Sequence, residues 1–206
     1  MYAPPMALYV YLLSTISLLL LSRYKQPITL INLESHMKAP QLNGQHEVRT
    51  AITINTPKDA VWNALKEFGT VSEWAPTVSE SHYLTAQTEG VGTGRHCHVV
   101  GFGNIEEHVT DWFEGKGFVY TVSALGPFAP SNSSWWLTRI DDQTTKLEVV
   151  FSYNIRFGIF GKILHKLVMR KKLEQSLPET VAATKNHVEN NYRPAAKQVP
   201  LTTVAA

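Results

Sequence analysis

Two charged side chains, Arg95 and Glu107, have types and a spacing suited to contacting a ligand. Strands are predicted over residues 93–100 and 105–113, joined by a turn at Gly101-Phe102-Gly103. Because side chains alternate across a strand, a hairpin with this turn puts Arg95 and Glu107 on one face. The other members of that face are Cys97, Val99, Ile105 and Val109.

A charge on a buried sheet face is costly unless it is paired or meets a ligand. Arg95 and Glu107 could therefore orient the polar end of an otherwise apolar ligand, such as a carboxylate, phenol or carbonyl group. Alternatively, the two residues pair with each other or lie at a rim, and only shape the fold. The sequence leaves both interpretations open.

Three histidines and a glutamate occupy the opposite face of the same predicted hairpin: His96, His98, His108 and Glu106. Imidazole and carboxylate groups at this spacing could bind zinc or copper. That face is expected to be wet, which favours ordinary solvated histidines. We therefore predict no metal ion and no other cofactor.

Cys97 is the single cysteine, which excludes an internal disulfide and any all-cysteine metal site. Its face carries no histidine to act as a base, and only the charge of Arg95 could favour its thiolate, so a nucleophilic role is not expected. The formal charge of +2, from 19 basic and 17 acidic residues, is too small to suggest a nucleic-acid-binding protein. Apolar residues form 44% of the chain, which suits a globular core.

Lys162, Lys166 and Arg170 recur at helical spacing after the apolar, glycine-containing stretch 156–161. Basic residues beside exposed aromatic rings can dock on an anionic membrane. The alternative is an ordinary solvated helix face, with Phe157 and Phe160 tucked inward, and the sequence favours it.

The strands and helices that must position these side chains are predicted from alternating apolar residues, helix-capping residues and glycines at the ends of elements. Val48–Asn55 alternates as a strand, and Pro57 and Asp59 then predict the start of a helix. Six further strands are predicted at 77–85, 93–100, 105–113, 117–124, 133–140 and 145–156, and a long helix at 160–190. The buried stripe of that helix is predicted as Ile163, Leu167, Leu173, Leu177, Val181 and Val188. Pro178 predicts a kink or short break within it.

The two ends of the chain differ from this regular middle. Residues 1–25 form an apolar segment whose stretch 6–21 is at the short limit for spanning a bilayer, with Arg23 and Lys25 following it. These flanking charges favour a membrane anchor with a cytoplasmic domain. A cleaved signal, or translation from Met37 giving a cytoplasmic protein, remain alternatives. Residues 26–47 are predicted to be a linker and 191–206 a disordered tail.

The order of one strand, two short helices, six strands and a long helix resembles the START-like helix-grip superfamily, in its polyketide cyclase/dehydrase and lipid-transport branch. Four stretches, within residues 48–190, carry the resemblance: 52–62 as the opening strand and helix, Gly90-Val91-Gly92-Thr93-Gly94-Arg95, Ile105-Glu106-Glu107-His108-Val109, and Lys185-Asn186-His187-Val188-Glu189.

The resemblance implies an α+β fold in which a seven-stranded antiparallel sheet wraps a long C-terminal helix and encloses an apolar cavity. Strand parity then predicts the side chains that face this cavity. In the strand containing both Trp135 and Trp136 the parity is ambiguous, and Trp136 is favoured as the inward residue. The predicted ligand contacts are Arg95, Cys97, Glu107, Phe118, Tyr120, Trp136, Phe151 and Tyr153.

Two functions fit such a cavity. It could bind or transport a hydrophobic small molecule, such as a lipid, an isoprenoid or a polyketide-like compound. Alternatively it could be a cyclase or dehydratase, with Glu107 as general base and Arg95 stabilising an enolate. Binding is favoured, because acid-base catalysis usually recruits more than one positioned group and the inner face offers one.

Overall fold

A single antiparallel sheet of seven strands, in the order β1-β7-β6-β5-β4-β3-β2, curves around the C-terminal helix in a computed structural model that describes residues 38–193. The described residues from 39 onward belong to one compact unit. The predicted helix-grip architecture is confirmed. The strands are β1 His46–Ile54, β2 Val78–Tyr83, β3 Gly94–Val99, β4 Gly103–Phe113, β5 Gly117–Val122, β6 Ser131–Arg139 and β7 Thr145–Tyr153.

Two short helices follow the first strand, as predicted. Helix α1 covers Lys58–Leu65, directly after Pro57, and buries Val61, Trp62 and Leu65. A 3₁₀ helix covers Phe68–Glu73 and packs against β2 and β3. It brings Phe68 to the inner side of the sheet.

The hairpin of β3 and β4 has the register that the glycine turn predicts. Arg95 lies opposite Glu107, and Cys97 lies opposite Ile105. Gly101 and Gly103 take positive φ values of 77° and 115°, which explains why glycine suits both turn positions. The shared face of Arg95, Cys97 and Glu107 is therefore confirmed.

The orientation predicted for strand β6 is wrong. Trp135 pairs with Phe118 of β5 and with Val149 of β7, which are inward residues, so Trp135 faces the core. Trp136 pairs with Gly117 and Glu148 on the outer face. Its indole is nevertheless only 4% exposed, because it packs edge-on against Phe113 over the position where Gly117 has no side chain.

The C-terminal helix has three parts: α2 Gly158–Leu164, a π-helical turn His165–Met169, and α3 Arg170–Asn191. The irregularity lies in the π-helical turn, and α3 runs through Pro178 without the predicted break. Pro178 and Glu174 are both on the exposed side, where water can satisfy the carbonyl that the proline leaves without a donor.

The predicted buried stripe is correct only in α3. Val181 and Val188 are buried there, and Leu173 and Leu177 are half-buried against the core. Ile163 and Leu167 are instead exposed, because the wide π-helical turn shifts the phase of the side chains. Helix α3 packs against β1, whereas α2 contacts mainly the turn that follows it.

No helix within residues 38–193 is long and apolar enough to cross a membrane. The segment 6–21, which the sequence predicts as an anchor, lies outside the described residues. So do most of the predicted linker 26–47 and the predicted tail beyond residue 193.

Candidate functional site

The candidate site is a cavity between the concave face of the sheet and helix α3, with roughly 930 Å³ of empty space, part of it open to solvent. The wall is largely apolar, with Val71, Val99, Ile105, Val122, Leu125, Phe128, Trp135, Phe151, Leu173 and Leu177 among its residues. An apolar wall of this kind favours a hydrophobic occupant.

Arg95 and Glu107 lie in this wall as a buried ion pair. The two residues are 8% and 5% exposed, and Nε of Arg95 donates to Oε2 of Glu107. Arg95 Nη1 also donates to the carbonyl of Phe68 at 2.5 Å, and the guanidinium lies 3.8 Å from the centroid of the Phe68 ring. The sequence left open whether Arg95 and Glu107 pair with each other or face a ligand. In the structure they pair with each other and also line the cavity.

The pairing leaves one oxygen of the carboxylate open. Glu107 Oε2 accepts from Arg95 and from the Cys97 thiol, whose sulfur is 3.6 Å away. Among the described residues, Oε1 has no hydrogen-bond partner. Oε1 is not among the fully buried side-chain atoms that lack a partner, and Glu107 lines the cavity, so a hydroxyl or other donor brought by a ligand could bond to this oxygen.

Burial keeps the neighbouring titratable groups protonated. Burial, reinforced by the charge of Glu107, raises the pKa of the Cys97 thiol to about 12. Burial and the same charge also raise the pKa of Tyr120. Burial alone would lower the pKa of Arg95, but the charge of Glu107 outweighs it and the pKa is raised. Cys97 and Tyr120 are therefore neutral donors at physiological pH, and Arg95 is a permanent cation.

Strands β5 and β6 add polar groups to the wall of the cavity. Trp135 Nε1 donates to the hydroxyl of Tyr120 at 3.1 Å, and the Ser133 hydroxyl donates to the carbonyl of Val150. Ser131 and Ser123 lie farther along the same wall. An apolar ligand in this cavity would therefore meet polar groups mainly along the sheet side.

Five of the eight residues predicted to contact a ligand line the cavity: Arg95, Cys97, Glu107, Tyr120 and Phe151. Phe118 is buried beside a small adjacent cavity, where it packs on Trp62, Phe68 and Trp112. Trp136 lies on the outer face, as described above.

Tyr153 is inward but does not line the cavity. It packs with Val48 and Phe128 in a separate cluster, and its hydroxyl is 2.9 Å from Nε2 of His165. The His165 ring packs edge-on against Tyr153, with ring centroids 5.5 Å apart. Strand parity predicts the inward face of Tyr153 correctly, but parity identifies a face and does not show what covers it.

Several lining residues were missed from the sequence. Trp135 was missed through the parity error. Leu173, Leu177 and Thr180 line the cavity from α3, at spacings of four and three residues. That helical spacing marked Leu173 and Leu177 as buried, and could have marked them as the lid of the cavity.

The histidine-rich outer face has no arrangement suited to a metal ion. His82 and His96 stack with ring centroids 5.0 Å apart, and His98 contacts Asn104. Within the described part of the chain, no group of three or more histidine, cysteine, aspartate or glutamate residues is close enough to hold a metal.

We expect protonation of His165 to make the fold less stable in mild acid. Burial lowers the pKa of His165 below its usual 6.5, and the neighbouring His46 and Arg170 lower it further, while Glu174 opposes them. The unfolded chain therefore takes up the proton first, so stability is full above about 6.5 and falls as the pH drops below it. Urea unfolding at pH 7.5 and 5, roughly one unit or more on either side of this value, measures the loss.

The matched comparison is His165→Gln, which keeps a partner for Tyr153 but cannot take up a proton. The exposed His82→Gln serves as the control. The His165 variant should lose less stability between the two pH values than the wild type and the control. An identical pH dependence in all three proteins would contradict the assignment to His165.

Comparison with known proteins agrees with this architecture. A family model described as polyketide cyclase / dehydrase and lipid transport matches residues 45–189. A comparison with curated proteins gave no match.

Solved structures share the fold at low sequence identity. An aromatase/cyclase from Streptomyces sp. R1128, Zhui, is 16% identical with a TM-score of 0.64, covering 73% of this chain and 98% of its own. A START superfamily protein from Mycobacterium smegmatis is 13% identical with a TM-score of 0.56, covering 70% and 98% respectively. Since the family match spans more than two thirds of the sequence and the fold agrees, this chain belongs to the polyketide cyclase / dehydrase and lipid transport family.

Proposed function

We propose that this protein binds and carries a hydrophobic small molecule with one hydroxyl or phenol group, such as a lipid, an isoprenoid or a polyketide-like aromatic. The observation that supports this proposal is that Oε1 of Glu107 has no hydrogen-bond partner among the described residues. It lies in a cavity whose wall is otherwise largely apolar. The apolar body of the ligand would lie along Trp135, Phe151 and Leu177, and its hydroxyl would donate to Glu107.

The same geometry argues for binding ahead of catalysis. Glu107 Oε2 is engaged by Arg95 and Cys97, so one oxygen is left to act on a substrate. The cavity wall has two further groups that could exchange a proton, Cys97 and Tyr120. Their pKa values are raised, so both groups keep their protons. Acid-base catalysis would need a partner whose pKa lies nearer the working pH.

A cyclase or dehydratase is the second candidate, and one observation favours it. Oε1 of Glu107 is positioned to accept a proton from a substrate, while Arg95 lies beside it as a cation able to stabilise an enolate. The similarity to the Streptomyces aromatase/cyclase makes polyketide-like compounds a suitable class to test.

Native mass spectrometry of the protein purified from its own host is the first test, because a co-purifying ligand would identify the chemical class. We expect a retained molecule that is apolar with one donor group. A protein that carries no ligand from its host and takes up none from a panel of hydroxylated lipids, isoprenoids and aromatics would contradict the proposal.

Glu107→Gln separates the two candidates. If Glu107 anchors the ligand, losing the charge-assisted hydrogen bond should weaken binding by about ten- to a hundredfold. If Glu107 is the general base, turnover of a polyketide-like substrate should vanish while binding is weakened in the same way. Glu106→Gln is the matched control, because Glu106 precedes it on β4 and points to the exposed outer face.

Leu177→Trp provides a variant that leaves the ion pair intact. Leu177 is half-buried in the wall contributed by α3, so the larger side chain should occupy the cavity and exclude the ligand. Loss of binding in this variant, with an unchanged unfolding transition, would place the ligand in the cavity. Unchanged affinity would contradict binding there.

A further inference from the structure

The start of the C-terminal helix exposes a continuous apolar surface that the core does not use. Phe160 is 80% exposed and Leu167 is 71% exposed, and their neighbours on this surface are also exposed. We call this surface the docking face and define it as Phe157, Ile159, Phe160, Ile163, Leu164, Leu167 and Val168. The expectation that Phe157 and Phe160 are tucked inward is therefore wrong.

The exposure follows from how the chain enters the helix. Phe157 and Gly158 both adopt left-handed backbone, with φ of 68° and 54°, which is unusual for a phenylalanine. Gly161 then packs so closely on the carbonyl of Arg156 that a side chain would clash there. Since Gly161 and His165 form the inward side of this segment, the larger apolar side chains are directed away from the core.

Positive charge surrounds the docking face. Residues 156–172 contain no aspartate or glutamate, although the whole chain carries a formal charge of only +2. The basic residues of this segment are Arg156, Lys162, Lys166, Arg170, Lys171 and Lys172. Lys162, Lys166 and Arg170 are exposed beside the apolar side chains. An amphipathic segment of this composition binds in the interface of an anionic bilayer.

The docking face also adjoins the cavity. Arg156 N and Nε donate to the carbonyls of Pro127 and Gly126, each at 2.8 Å, in the loop between Leu125 and Phe128, which both line the cavity. On the other side of the docking face, α3 continues to Leu173 and Leu177 in the cavity wall. A ligand leaving a membrane beneath this surface would reach the cavity over a short path.

We propose that the docking face binds the surface of an anionic lipid bilayer, from which the cavity is loaded or into which it is emptied. The loading or emptying of the cavity rests on the proposed carrier function. Binding of the docking face to a bilayer does not depend on that function. A second copy of the chain is a poorer occupant, because two sets of like charges would meet. The apolar segment 1–22 is also a poorer occupant of the docking face, because it has no charged side chain that could pair with the basic residues.

Flotation of the full chain with lipid vesicles tests the proposal. Vesicles of phosphatidylcholine with about 30% phosphatidylserine are compared with pure phosphatidylcholine. We expect binding to the anionic vesicles to exceed binding to the neutral ones. The double variant Phe160→Ser/Lys162→Glu should reduce binding to the anionic vesicles at least about tenfold, since it removes an inserted ring and reverses a charge.

The matched control is Arg139→Glu/Ile140→Ser, which makes the same kinds of change at two exposed residues outside the docking face. It should bind anionic vesicles like the wild type. Equal binding by both double variants would overturn the proposal, as would binding that ignores phosphatidylserine. A wild-type dimer in sedimentation that Phe160→Ser makes monomeric would also overturn it, in favour of a self-association surface.

The outcome is separable from that of the proposed function. Phe160 and Lys162 do not line the cavity, so their double variant should keep its ligand in native mass spectrometry while losing the vesicles. Glu107→Gln should do the reverse. Vesicle binding without any ligand would leave the docking face supported and the carrier function contradicted.

Discussion

Replacing Arg95 with methionine is expected to destabilise the fold by about 3–5 kcal/mol, the cost of leaving a buried charge without its partner. Glu107 is 5% exposed and would keep only the Cys97 thiol as a protein partner. The guanidinium also stacks on Phe68 and bonds to its carbonyl, so those contacts are lost in the same substitution. Chemical denaturation at neutral pH measures the change.

The double variant Arg95→Met/Glu107→Leu shows whether the loss comes from the orphaned charge. Apolar side chains of similar volume often replace a buried ion pair without loss, so the double variant should regain most of the stability. It should also fail to bind the hydroxyl end of the ligand. Arg49→Met is the control, because its ion pairs with Glu47 and Glu148 are at the surface and worth less than about 1 kcal/mol.

A double variant as unstable as Arg95→Met would contradict this interpretation. It would mean that the Phe68 contacts of Arg95, and not its charge balance, stabilise this wall of the cavity. A double variant that is stable and still binds the ligand with unchanged affinity would contradict the assignment of Glu107 as the polar anchor.

Trp135→Ala is expected to cost about 3–5 kcal/mol of stability and most of the ligand affinity. The indole is 6% exposed, stacks towards Phe118 with a centroid distance of 6.5 Å, and donates to the Tyr120 hydroxyl. It also lies between the main cavity and the smaller one beside it. Removing it would merge the two spaces and leave Tyr120 without its donor.

Trp135→Phe is the graded control, because it keeps an aromatic ring against Phe118 and loses the indole N–H. It should lose less stability than the alanine variant, by denaturation, and retain part of the affinity. Trp136→Phe should leave the affinity unchanged, since Trp136 packs on Phe113 at the outer face. Equal loss of affinity in the two phenylalanine variants would contradict the placement of Trp135 in the cavity wall.

The site could be predicted best where a single hairpin carries it. Arg95 and Glu107 are opposite each other because β3 and β4 are joined by a short turn with two glycines at positive φ. Local alternation then decides which residues share their face, and Cys97 follows from the same rule. Tyr120 and Phe151 could be assigned similarly, because their strands alternate clearly.

Prediction failed where a residue depends on distant neighbours. Trp135 and Trp136 are adjacent and similarly hydrophobic, so alternation within β6 cannot say which one is inward. Pairing with Phe118 and Val149 decides it. Tyr153 has the inward parity that its strand predicts, yet His165, from the following helical segment, covers it.

By itself, the amino-acid sequence determined the number and order of the strands, the hairpin that joins Arg95 to Glu107, and the resemblance to a family. These features are encoded in local alternation, turns and short motifs. Only the tertiary structure decided that Arg95 and Glu107 pair while one carboxylate oxygen stays open, because pairing depends on side-chain distances. It also decided that the apolar residues from Phe157 to Val168 face solvent, because the burial of a helix depends on what packs against it and not on its own periodicity.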